Sequence, residues 1–172
     1  MFDIGTYVSY RTEGVCRIVD IRTESFGGNA GRYYILSPLK DQNSVLYVPF
    51  DNELLISKML PLLSEQQIYA LARELREERV EWRPESRARG YRFREILGTG
   101  DRRELIVLIN TITEKAEELQ TLGKRLTGGD EALLKRAKKI LVDEFSLTSD
   151  IKNADALMEV LEGRVPCKNA DV

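Results

Sequence analysis

Near residue 63 the hydrophobic period of this 172-residue chain changes from about two to about three and a half, so the front must fold as strands and the remainder as helices. Before that point Tyr7-Val8-Ser9-Tyr10 ends at the turn residue Gly14, and residues 15–23 alternate apolar with polar, which places one face inward and one outward. Gly27-Gly28-Asn29-Ala30-Gly31 reads as a flexible hairpin connection, residues 32–36 as a strand closed by Pro38, residues 40–43 as a turn and residues 44–49 as the last strand. Short strands at this spacing, with no helix between them, predict a small antiparallel sheet curled toward a barrel.

Beyond the switch, Ser64 and Gln67 form a capping box that opens a helix with Ile68, Leu71, Ala72 and Leu75 on one face. The charged run Arg76-Glu77-Glu78-Arg79-Val80-Glu81 reads as the end of that helix. A second helix is predicted over residues 86–97 and is stopped by Gly98-Thr99-Gly100. Leu105, Leu108, Ile109, Ile112, Ala116 and Leu119 then follow helical spacing, and Thr127-Gly128-Gly129-Asp130 has the form of another capping box before Leu133, Leu134, Ala137, Ile140, Leu141 and Phe145. A short final helix carries Ala156, Leu157, Val160 and Leu161. The expected class is α+β: a β-rich module over residues 1–60, then an all-helical bundle over residues 64–162, with the boundary between about Ile56 and Ser64.

A hydrophobic content of 42 % is ordinary for a chain that buries a core, and the net charge of −2 hides segregation. Arginines crowd residues 83–103, lysines and arginines crowd residues 124–139, and the acids dominate the C-terminal part. The chain contains no histidine, which removes the commonest general base and metal ligand, and Cys16 and Cys167 alone make neither a thiolate zinc site nor a disulfide framework. The glycine-rich loop lacks the Gly-Lys-Ser/Thr ending that grips phosphates, and Glu77 with Glu81 or Glu114 with Glu117 read as solvated helix surface. No enzyme, metal, cofactor or small-molecule substrate is expected. With a strand pattern directly after Met1 and no stretch as long as a membrane span, a cytoplasmic protein with no membrane partner is expected.

Trp82, the only tryptophan, opens an arginine-rich run. Large rings are usually spent on a core or an interface, and the neighbouring sequence offers no apolar stripe to bury this one. A ring among cations points to a polyanion, against the plainer reading that it covers a helix junction from outside. Arg83, Arg87 and Arg94 recur near helical spacing, as do Lys135, Lys138 and Lys139; such runs are usually solvated faces, but beside an exposed indole they would make a phosphate-tracking groove.

The opening Phe2-Asp3-Ile4-Gly5-Thr6-Tyr7-Val8-Ser9-Tyr10, then Glu13-Gly14-Val15-Cys16-Arg17-Ile18, Tyr33-Tyr34-Ile35-Leu36-Ser37-Pro38-Leu39 and Tyr47-Val48-Pro49 resemble the CarD/CdnL family of bacterial transcription regulators. Trp82, Leu97-Gly98-Thr99-Gly100-Asp101, Gly123-Lys124-Arg125-Leu126-Thr127 and the run from Leu134 to Phe145 are similar to the helical domain of full-length members, so the likeness reaches about residue 150. It implies a Tudor-like barrel, shared with transcription-repair coupling factors, that binds the β subunit of bacterial RNA polymerase through Arg22, Glu24, Phe26 and Tyr47. Glu24 and Tyr47 stand where relatives often carry arginine.

By the same likeness the helical domain contacts promoter DNA without reading sequence. Trp82 is placed as a wedge at the upstream edge of the melted bubble, and Arg83, Arg87, Arg89, Lys124, Lys135, Lys138 and Lys139 contact phosphates. The segment between Trp82 and Leu97 is longer than in the best-known members. The competing reading is a polymerase- or protein-binding module with no DNA contact.

Overall fold

In the computed structural model, which describes residues 1–165, Gly27 and Gly28 take φ of +61° and +87° and make the tight turn of a long hairpin. Positive φ at both central positions suits the twist of the flanking strands and is cheap only for glycine. The turn joins β2 (Gly14–Phe26) to β3 (Asn29–Pro38), so the expected flexible loop shrinks to these glycines and residues 29–31 enter the strand. With β1 (Tyr7–Tyr10), β4 (Leu46–Pro49) and β5 (Met59–Pro61) the sheet runs in the order β4-β3-β2-β1-β5, antiparallel throughout. The α+β class is as expected. β4 and β5 lie at opposite edges and no ladder joins them, so the sheet stays open rather than closing into a barrel.

Two short elements escaped the sequence pattern, β5 and the single-turn α1 (Glu53–Ile56), whose cap is Asn52, accepting from the Leu55 N–H at 3.1 Å. A register shift between Ile18 and Asp20 turns Val19 outward and lets Ile18 stay fully buried. The inner face is built on Val8, Cys16, Ile18, Tyr34, Leu36, Val48 and Met59. Tyr34 stacks on Phe50 with centroids 4.1 Å apart, and its hydroxyl accepts from the Phe2 N–H at 3.2 Å. Burial pushes the Cys16 thiol up to about 11. Cys167 lies outside the described residues.

The chain divides into two compact units, Met1–Leu62 and the part from Leu63 onward. The second is built from α2 (Glu65–Glu74), α3 (Ser86–Thr99), α4 (Arg102–Thr121), α5 (Gly128–Phe145) and α6 (Ala154–Leu161). Ser64 and Gln67 make the reciprocal capping box. Gly100, at φ +64°, closes α3 in the left-handed conformation, and Asp101 caps α4 through the N–H groups of Arg103 and Glu104. Leu105, Ile106, Leu108, Ile109 and Ile112 of α4 have no exposed surface, which makes this helix the centre of the core, each side chain contributing about 1.5–3 kcal/mol. Buried ion pairs tie α5 to its neighbours: Arg89 with Asp130 at 2.7 Å, and Arg102 with Glu144 at 3.2 Å.

One expected helix end is absent. α2 stops at Glu74 with Leu75 as its cap, and the run Arg76 to Glu81 is not helical. Its backbone is held by α4 instead: Asn110 donates to the Leu75 carbonyl at 2.9 Å, the Val80 N–H donates to Thr111 Oγ1 at 3.0 Å, and Arg79 pairs with Glu114 at 2.9 Å. Among the described residues no helix is long and apolar enough to cross a membrane.

Candidate functional site

Each unit presents one surface of interest. In the sheet, alternation puts Arg22, Glu24 and Phe26 of β2 on one face, and the register sets Arg22 opposite Tyr33 and Tyr47 opposite Ile35, on that same outer face. Phe26, Tyr33 and Tyr47 form an edge-to-face cluster with centroids 5.3, 5.1 and 6.2 Å apart. Phe26 is 50 % exposed and Tyr47 36 %, so the cluster faces solvent. Gly31, opposite Glu24, leaves room for the Tyr33 ring: a Cβ there would stand 3.3 Å from Tyr33 Cε2.

Arg22 is not a free cation on this face. Its Nε donates to Glu24 Oε1 at 2.6 Å and its Nη1 lies 3.2 Å from Asp20 Oδ2. The hydrogen bond to Glu24, then that carboxylate's charge, hold the guanidinium protonated even more firmly than usual. The face is therefore an aromatic patch with its charge locally compensated. Tyr33 was missing from the expected set; its alternation with the buried Tyr34 was the available signal.

In the helical unit Trp82 sits on the irregular segment between α2 and α3, and its surroundings correct the sequence reading. Sequence neighbours offer no apolar stripe, but the fold supplies one: Trp82 packs partly buried against the main core and meets Phe93 edge-on at 5.9 Å. The Arg89 guanidinium lies over the indole at 4.2 Å, and Lys115 approaches at 5.8 Å.

Arg89 itself is a correction. Expected at a phosphate, it is 4 % exposed and forked onto Asp130, donating from Nε at 3.1 Å and from Nη2 at 2.7 Å, while Nη1 donates to the carbonyls of Arg83 and Pro84 at 2.6 and 3.0 Å. One guanidinium thus fastens the loop, the α5 N-terminus and the indole. Asp130 also receives the Thr127 hydroxyl at 2.7 Å, so the expected box keeps its forward cap, the Asp130 N–H to Thr127 Oγ1, while the carboxylate turns inward. Burial opposes ionisation of Asp130, but the hydrogen bonds from Arg89 and Thr127, with the guanidinium charge, outweigh it and hold the carboxyl below its usual range.

The other expected cations fall into separate places. Arg83 and Arg87 line an open groove with Tyr91 and Arg94, Lys124 borders another with Arg125 and Leu126 at the α4–α5 turn, and Lys135, Lys138 and Lys139 rim a third with Lys152 over Leu134 and Val142. Arg83 lies 3.5 Å from Glu81 and Lys139 3.2 Å from Asp143, both at exposed positions where pairing is weak. Lys138 is half-buried; loss of water lowers its ammonium pKa, against the opposing charges of Glu162 and Asp155.

An open antiparallel sheet that shows solvent a cluster of aromatic rings defines, for the first unit, an interaction module. Residues 2–60 match the family model of the CarD-like/TRCF RID domain, so the first unit is a domain of that kind. No curated protein matches the chain.

Proposed function

We propose that the protein is a bacterial transcription regulator that binds the RNA polymerase β subunit through the outer sheet face and holds promoter DNA open with the helical unit. The family match over residues 2–60 carries the first half, and the exposed Phe26 and Tyr47 rings, packed with the partly buried Tyr33, give it a physical anchor. Arg22 and Glu24, paired with each other, orient the contact more than they charge it. The free side of the edge strand β4 adds unpaired backbone groups that a polymerase strand can complete.

For the second half, a half-buried indole clamped by Phe93 and Arg89 is a preorganised wedge. The part of the ring outside the packing stacks at the upstream fork, and strand closure has to give up that contact, worth about 1–3 kcal/mol. Arg83, Arg87, Lys124, Lys135, Lys138 and Lys139 supply sequence-independent phosphate contacts. Such a protein works in the cytoplasm with no cofactor.

The test compares parent and Trp82→Ala in the lifetime of the polymerase–promoter open complex after competitor challenge. A lifetime shortened severalfold, with polymerase binding retained, supports the reading. An unchanged lifetime sinks the wedge and leaves the second reading, a polymerase-binding protein without DNA contact, which the internal use of Arg89 favours.

A further inference from the structure

The solvent side of α3 carries a stripe of which the function proposed above uses only Arg87, leaving Tyr91 and Arg94 without a role. Arg87, Tyr91 and Arg94 stand at i, i+4 and i+7 and so share one helix face. Tyr91 is 64 % exposed, and Arg83 joins these residues and Ala88 in lining an open groove of about 620 Å³, with Glu85 its one carboxylate. A single exposed tyrosine is ordinary; its neighbours set this one apart. Arg92 of the same helix approaches Glu95, and Arg89 is spent on Asp130, but the side chains of Arg87 and Arg94 have no hydrogen-bond or ion-pair partner among the described residues. They are separated by about 10 Å along the helix axis, with the ring between them.

We propose that this stripe binds an unpaired nucleic-acid strand, one base stacking on Tyr91 while the phosphates on either side of it pair with Arg87 and Arg94. The inference rests on the reading that the helical unit meets a melted promoter, and it names the state of the strand taken there. A duplex fits less well, since its base faces are already stacked and only the arginines would find partners. An acidic peptide satisfies the arginines but offers the tyrosine no flat partner.

The experiment uses the full chain without polymerase and measures fluorescence anisotropy of a labelled single-stranded oligothymidine, a duplex of equal length, and the single strand in competition with polyglutamate. Tyr91→Ala weakens single-strand binding about tenfold, Tyr91→Phe keeps it, and neither changes duplex binding. Replacing both Arg87 and Arg94 by Ala flattens the salt dependence by roughly 1.4 in the log–log slope.

A parent chain that does not bind the single strand, a Tyr91→Ala chain that binds it as the parent does, or polyglutamate that displaces it with equal strength from a Tyr91-dependent site overturns the proposal. Trp82→Ala separates the two readings: a parental open-complex lifetime with the strand lost on Tyr91→Ala sinks the wedge alone, and the reverse pattern sinks the stripe alone.

Discussion

The Arg89 guanidinium lies 4.2 Å from the centre of the Trp82 ring while two of its nitrogens hold the Asp130 carboxylate. Core stability and the position of the indole therefore share one fastening. Asp130→Ala leaves a buried guanidinium uncompensated and lowers stability by about 3–5 kcal/mol in urea unfolding, whereas replacing Arg89 and Asp130 together by Met and Leu recovers much of that loss. Because Trp82 is the only tryptophan, its emission reads the clamp directly, and a red shift is expected in Asp130→Ala before global unfolding.

The same pair sets the response to acid. The Asp130 carboxyl titrates lower in the folded chain than in the unfolded one, so its contribution is full above the ordinary carboxylate value of about 3.9 and is lost as pH falls toward the depressed folded value. Stability measured between pH 6 and about pH 3 should fall more gently in Asp130→Asn than in the parent.

Cys16 predicts the opposite sign. Its thiol is raised to about 11 by burial, so the folded state favours the protonated form. The contribution is full below the ordinary thiol value of about 8.5 and is lost as pH rises toward the folded value. In a Cys167→Ser chain, thiol reagent at pH 8 should label Cys16 only at the rate of unfolding, which denaturant titration checks.

On the sheet, Phe26→Ala and Tyr47→Ala should each cost stability only about 0.5–1.5 kcal/mol, the worth of an edge-to-face ring pair on an exposed face. If these rings anchor the polymerase, the same substitutions weaken β-subunit binding at least tenfold in a titration with the full chain, a loss beyond what their stability change explains.

What could be read from the sequence followed the range of the forces involved. Ser64 with Gln67, Gly100 and Asp101 act within a turn or so of themselves, so the boundaries they set were legible. The α4 stripe was legible through Leu105, Leu108, Ile109 and Ile112, because periodicity is a local signal. The run Arg76 to Glu81 carries a helix-like charge pattern but is not helical, because its partners lie far along the chain: Asn110 takes the Leu75 carbonyl just before it, Thr111 the Val80 N–H and Glu114 the Arg79 side chain. Arg89 and Asp130 are 41 residues apart, and nothing near either one announces the other. Tyr33 went unnoticed as a site residue for a different reason, since its role arises only when the register brings Phe26 and Tyr47 beside it.

The segment carrying Trp82 has no ladder of its own and borrows its shape from α3, α4 and α5. The packing around the indole is therefore complete only when α3, which carries Phe93 and Arg89, and α5, which carries Asp130, are both in place. If Trp82 acts at a promoter as proposed, completion of the fold is thus a condition for acting there.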